Sequence, residues 1–290
     1  MSSNTAQGTE SGETVHAVDL FCGAGGLSTA LALACEDLDR PVELTAVNHD
    51  ADAIATHKEN HPWADHYNTK VEELHPPNVV SGDEVDILIA APECTHFSRA
   101  RGGAPVEEQL RSSPLEVIDW AGKTNAQAIL IENVPELETW GPLDEEGNPT
   151  RNGEMFDAWV NMLHAMGYSV NWEVLNAADY GDPTSRERLF IICRKNHRPD
   201  FPEQTHSENG EEEGTEPWRT ASEIINWSDE GESIWERSRP LVNNTMKRIA
   251  EGVKRHGSQE LQPFAEAIAE LGKEDVEAMQ GEVVDAENIE

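Results

Sequence analysis

The chain has 290 residues, enough for one sizeable core with a small appendage, and no apolar run approaches the ~18 residues of a membrane-spanning helix. Its 56 acidic side chains outnumber 21 basic ones, a formal net charge of −35, which excludes a uniformly basic nucleic-acid binder. Four cysteines (Cys22, Cys35, Cys94, Cys193) without C-x-x-C or zinc-finger spacing exclude a disulfide scaffold and suggest no metal site.

With no signal peptide in view, the expectation is a soluble cytoplasmic protein with reduced thiols and no membrane association. The acid excess runs along the whole chain, as in proteins adapted to concentrated salt. Twelve of the 21 lysines and arginines fall within residues 186–255, so a local basic surface on an acidic protein is expected there.

Residues 1–13 are polar and aperiodic and are read as a disordered tail. A strand over 15–21 then runs into Cys22-Gly23-Ala24-Gly25-Gly26-Leu27, and 28–35 has the spacing of a helix. Strand, glycine turn and helix N-terminus form a site for a nucleotide-like ligand, because glycines permit close approach and the free helix N–H groups attract anions. Taken alone, the G-x-G-G spacing also fits a tight βα connection. A second unit follows, with a strand over 44–47, the polar end Asn48-His49-Asp50, and a helix over 51–60 stopped near Pro62. Asn48 or Asp50 lies where this class of fold holds a ribose hydroxyl, although Asp50 equally suits a helix cap.

The apolar run at 85–91 reads as a strand buried on both faces, and it ends in Pro92-Glu93-Cys94-Thr95-His96-Phe97-Ser98. Ligands of open α/β sheets sit beyond the carboxyl ends of the strands, so Cys94 lies where a thiol can act as a nucleophile. Arg99-Ala100-Arg101-Gly102-Gly103 then reads as a basic loop, and 114–124 as a helix. The strand over 128–131 ends in Glu132-Asn133-Val134, placing an acid at the same sheet edge as the thiol. A carboxyl in a partly apolar cleft can stay protonated and serve as donor or acid. After a helix over 156–166 come β segments at 168–175 and 189–194. Arg186 and Arg188 precede the second of these and share a face if Arg188 opens the strand; their guanidinium forks suit carbonyl, carboxylate or phosphate.

The ordered set of Asp19 to Gly26, Pro92 to Ser98, Glu132-Asn133-Val134 and Arg186-Glu187-Arg188 resembles the cytosine-C5 DNA methyltransferase family, over 15–194. The Pro-Glu-Cys-Thr-His-Phe-Ser version is similar to the branch found in bacteriophages and mobile elements. The resemblance implies an α/β fold, a doubly wound and mostly parallel Rossmann-like sheet with a small C-terminal appendage. It implies S-adenosyl-L-methionine as cofactor, held by Phe21, Cys22, Gly23, Gly25, Gly26 and Leu27 with Asn48, His49 and Pro92. Cys94 would be the nucleophile that adds to cytosine C6, Glu132 its acid partner at ring N3, and Arg186 and Arg188 the substrate-orienting pair. The partner implied is double-stranded DNA, with the target cytosine flipped out of the duplex. Methylation of RNA cytosine, as in the family's transfer-RNA relative, is the alternative substrate.

Several positions depart from the family pattern. Glu93 and Thr95 flank the cysteine where proline and glutamine are usual, Asn48 replaces an acid, and Thr184 replaces a glutamine. The family's closing motifs are not found after Arg194. That leads to the expectation of a truncated or catalytically impaired copy, or of a second chain carrying the recognition half. The domain reading is a tail at 1–13, a catalytic domain at 14–199 and an acidic linker at 200–216. A basic helical appendage at 217–258 would open the recognition region, before an acidic tail at 259–290.

Overall fold

The computed structural model of the chain describes residues 12–80, 84–92, 113–144, 148–229, 241–257, 259–263 and 265–266. It divides into two compact units, Met1–Ile224 and Ile225–Glu290.

The first unit is built on a seven-stranded sheet. Its elements in chain order are β1 (Val15–Leu20), α1 (Gly26–Asp37), β2 (Val42–Asn48), α2 (Ala51–Asn60), β3 (Asp65–Asn68), β4 (Ile87–Ala90), α3 (Ser113–Lys123), β5 (Ala128–Asn133), α4 (Glu154–Ala165), β6 (Tyr168–Asn176) and β7 (Glu187–Lys195). The strand order is β3-β2-β1-β4-β5-β7-β6. Strands β1 to β5 pair in parallel, whereas β7 runs antiparallel to both β5 and β6. The expected doubly wound, mostly parallel sheet is therefore present, and its topological switch point lies between β1 and β4.

Side-chain alternation explains how the layers close. In β1, Val18 and Leu20 face a core shared with Val117 and Trp120 of α3 and Phe156, Trp159 and Leu163 of α4. Ala17 faces the other side with Leu44 and Leu31, so α1 covers the opposite face. Ile54 of α2 packs there with Ala46 and Cys22. A strand covered on both faces needs no polar alternation, which is why β4, Ile-Leu-Ile-Ala, reads as a continuous apolar run. Two of the core indoles bond their N–H groups to backbone carbonyls: Trp159 Nε1 donates to Pro114 O at 2.8 Å and Trp120 Nε1 to Val71 O at 3.4 Å. Truncating a fully buried aliphatic such as Leu163 to alanine costs about 2–5 kcal/mol in such a core.

Two elements differ from the expectation. The short strand β3 has only four residues, Asp-His-Tyr-Asn, with no apolar run to announce it. The acidic stretch expected as a linker at 200–216 carries the parallel pair β8 (His206–Ser207) and β9 (Glu216–Pro217). It is strapped to the turn after β6. Thr205 N donates to Asp179 O at 2.9 Å, and Trp218 Nε1 to Asp179 Oδ1 at 2.9 Å.

In the second unit, α5 (Asn243–His256) is amphipathic. Met246 and Ala250 are buried, while Lys247, Arg248, Lys254 and Arg255 are exposed. Glu251 is the acid of this helix, 3.9 Å from Arg255.

Candidate active site

Parallel register brings the carboxyl ends of five strands level along one edge. Leu20 of β1 pairs with Val47 and with Ala90, Ala90 pairs with Ile131, and Asn48 pairs with Asn68. The sequence-derived site residues within the described region lie at this edge or just beyond it, with Asn48, Glu132 and Arg188 inside the ends of β2, β5 and β7.

The glycine turn follows β1. Phe21 and Gly23 take the left-handed backbone at φ 58° and 54°, and Gly25 caps α1 at φ 97°. A Cβ added at Gly23 or Gly26 would meet nothing within 4 Å among the described residues, so the front of the turn is open. At Gly25 the same atom would lie 2.6 Å from the His61 ring and 3.0 Å from that of His57, so the back of the turn is closed. Helix α1 has no side-chain cap and no acid in its first turn, leaving its N–H groups to an anionic ligand. An open front, a packed back and an uncapped helix end fit the carboxylate end of an amino-acid-bearing cofactor.

At the end of β2, Asn48 and Asp50 are already engaged. Asn48 Oδ1 accepts from Asp50 N at 2.9 Å, and Asp50 Oδ1 caps α2 by accepting from Ala53 N at 2.8 Å. The capping role open to Asp50 in the sequence is thus the one it takes. Asn68 Nδ2 ties the same loop by donating to Asn48 O at 3.2 Å and His49 O at 3.1 Å. These bonds shape the turn around Asn48 and His49.

At the end of β4, Ala91 N donates to Leu20 O at 3.1 Å, which fixes Pro92 beside the glycine turn. The buried Asn133 of β5 donates through Nδ2 to Pro92 O at 3.0 Å and accepts from Val134 N at 2.9 Å. The sequence does not single out Asn133, whose place on the strand adjacent to the Pro92 loop becomes visible only in the sheet. Cys94, together with Glu93, Arg99 and Arg101, lies outside the described residues.

Glu132 and Arg188 do come together. Arg188 Nε stands 2.9 Å from Glu132 Oε1, with both side chains about three-quarters buried at 21% and 24% exposure. A second guanidinium nitrogen, Nη1, donates to Glu187 O at 2.7 Å. The neighbour of this carboxyl is a guanidinium rather than the apolar cleft expected for it. Arg186 is exposed and sits just before β7, its carbonyl accepting from Ala177 N at 3.0 Å. Strand alternation puts Arg186 and Arg188 on the same face.

Beneath the turn lies a polar network. Asp19 is fully buried, with Oδ2 accepting from Ser28 Oγ at 2.5 Å and Oδ1 without a partner among the described residues. Burial pushes its carboxyl up to about 7, partly offset by the Ser28 bond. The nearby Cys22 thiol is pushed up to about 12 by burial and by the Asp19 charge, so it is inert. Among the described residues no group of three or more His, Cys, Asp or Glu could hold a metal, and no helix is long and apolar enough to cross a membrane.

A seven-stranded sheet with this switch point and an open glycine turn defines a Rossmann-like methyltransferase fold. A solved Spodoptera frugiperda DNMT2 mutant shares that fold at a TM-score of 0.52 and 18% identity, covering 93% of this chain and 83% of its own. The family model for C-5 cytosine-specific DNA methylase matches residues 15–287, and the chain belongs to that family. It is similar to the type II methyltransferase M.AgeI of Thalassovita gelatinovora, 30% identical over 203 residues that make up 68% of this chain and 43% of that protein. It is also similar to M.NlaX of Neisseria lactamica, 32% identical over 187 residues, 63% of this chain and 53% of that one. The chain thus spans about half the length of these relatives.

Proposed function

We propose that the chain is a DNA cytosine-C5 methyltransferase that uses S-adenosyl-L-methionine. The observation that carries this reading is the single sheet edge at which the open glycine turn, the anchored Pro92 and the Glu132–Arg188 pair converge. The cofactor supplies an electrophilic methyl group on a sulfonium. The turn from Phe21 to Leu27 holds its amino-acid end, with Asn48, His49 and Pro92 around the remainder.

Cys94, two residues beyond Pro92, adds as thiolate to C6 of a flipped-out cytosine, and the ring electrons move to C5. Glu132, paired with Arg188, hydrogen-bonds ring N3 and shares the proton taken up there, so that full negative charge does not build up. Arg188, with Nε on Glu132, has further N–H groups for the ring carbonyl, and Arg186 on the same face helps hold the base. Once C5 carries the methyl group, it gives up its proton, and expulsion of the Cys94 thiolate restores the aromatic ring.

Duplex DNA is the partner this reading implies, and the exposed basic face of α5 suits its phosphates. The decisive experiment is transfer of a labelled methyl group to cytosine-containing duplex, across a range of salt and with RNA as a parallel substrate. Transfer to DNA that vanishes in Cys94→Ser while cofactor affinity stays near normal supports the reading. Transfer that survives Cys94→Ser, or that occurs only on RNA, overturns it.

A further inference from the structure

One turn of α2 grips the back of the glycine turn with three side chains. His57 and Asn60 stand at helical i and i+3 spacing, and His61 is the C-cap residue that follows, at φ −130° and ψ 63°. Asn60 Nδ2 donates to Ala24 O at 3.2 Å. His61 Nε2 lies 3.2 Å from Gly25 O and 3.1 Å from Thr29 Oγ1. Thr29 Oγ1 spends its own hydrogen on Gly25 O at 2.9 Å, so the facing His61 Nε2 must carry the proton and donate. By the same logic Ser28 Oγ donates to Asp19, and His57 Nε2, 3.0 Å away, donates to Ser28. His57 Nδ1 is then the acceptor for His66 Nε2 at 2.8 Å. The donors run in one direction, from His66 through His57 and Ser28 to the buried carboxylate.

We propose that His57, Asn60 and His61 form a clamp of positioning residues that sets the shape of the cofactor turn. A trans peptide points its C=O and N–H in opposite directions. Holding the Gly25 carbonyl back against His61 and Thr29 therefore aims the Gly26 N–H toward the open front. Fixing Ser28 against Asp19 anchors the first turn of α1, so the N–H groups that meet the ligand are set before it arrives. The aromatic edges reinforce this, with the His57 and His61 centroids 4.7 Å apart and both rings against the Gly25 Cα side where no Cβ fits. Burial, with the neighbouring His61 and His66, holds His57 down to about 4 and so neutral, as the relay of donors requires.

This inference rests on the cofactor reading above, and the test separates the two. The full chain is titrated calorimetrically with S-adenosyl-L-methionine and S-adenosylhomocysteine, and its ligand-free thermal midpoint is measured alongside. Gln places an amide nitrogen near the position of Nε2, whereas Phe and Leu remove the donor. His61→Phe and His57→Leu are expected to raise Kd about tenfold, and His61→Gln and His57→Gln to recover most of that loss. Asn60→Ala, at an exposed position, is expected to raise Kd about threefold with no change in the midpoint. Unchanged Kd in Asn60→Ala and His61→Phe, or Gln variants no better than Phe and Leu, overturns the clamp. Absence of binding by the wild-type chain instead overturns the cofactor reading itself.

Discussion

Replacing Asp19 with asparagine is expected to uncover a pH dependence of stability that the wild-type relay cancels. The Asp19 carboxyl is raised from 3.8 to about 7 by burial, so the folded chain binds its proton more tightly than the unfolded chain does. That stabilisation is complete below pH 3.8 and is lost as pH rises through about 7. His57 is lowered from 6.5 to about 4, first by burial and then by His61 and His66. Its contribution has the opposite sign, present above pH 6.5 and lost as pH falls through about 4. At 1.36 kcal/mol per unit, the roughly three-unit Asp19 shift is worth about 4 kcal/mol and the roughly 2.5-unit His57 shift about 3 kcal/mol. Near pH 5 the folded pair holds one proton on Asp19, and the unfolded pair holds one on His57. Folding therefore moves that proton without taking up or releasing one. In Asp19→Asn the His57 contribution stands alone, with the lowered His66 adding in the same direction. Urea unfolding of mutant and wild type at pH 4.5 to 7.5 isolates the effect, since every other titrating group cancels in the difference. The mutant's stability relative to wild type should improve by about 3 kcal/mol between pH 4.5 and pH 7.5, most of the full shift. Parallel curves across that window would refute the argument.

Asn133→Ala removes the donor that holds Pro92 O, and its cost in urea unfolding should be about 1–3 kcal/mol, with methyl transfer falling further than cofactor affinity. Arg188→Lys keeps the charge but loses the fork between Glu132 and the Glu187 carbonyl, so single-turnover transfer should slow by about 10²- to 10³-fold. Reversing Lys247 and Arg248 to glutamate should weaken duplex binding at all sequences, and the slope of log K against log salt should become shallower by about 2. An excess of 56 acids over 21 bases predicts a thermal midpoint that climbs as salt rises from 0.1 M to 1 M, where the screening length shrinks from about 10 Å to about 3 Å. A midpoint indifferent to salt would show that the acids do not strain the folded state.

Much of the site was legible because its parts are contiguous strings. Strand, glycine turn and helix lie together from Val15 to Asp37, and a local string suffices to recognise an uncapped helix end behind a left-handed turn. The run from Ile87 to Pro92 and the Glu-Asn-Val end of β5 are likewise local, as is the i, i+2 spacing of Arg186 and Arg188. Strand β3 was not legible, since four residues without apolar periodicity carry no signal and owe their extended form to pairing with β2. The strapped segment around β8 and β9 reads as a linker in sequence because two-residue strands have no periodicity; they form by pairing with each other and by the bonds to Asp179.

By itself, then, the sequence determined the class of sheet, the edge that carries the chemistry and the residues that stand along it, because each depends on short-range periodicity and turn chemistry. Only the tertiary structure decided which of those residues meet. Asn133 reaches Pro92 across 41 residues and His57 reaches Ser28 across 29, contacts set by strand order and by how α2 packs behind α1. The antiparallel insertion of β7 between β5 and β6 likewise puts Arg188 against Glu132. Side-chain hydrogen bonds of this range follow from the closing of the layers, and no local pattern encodes them.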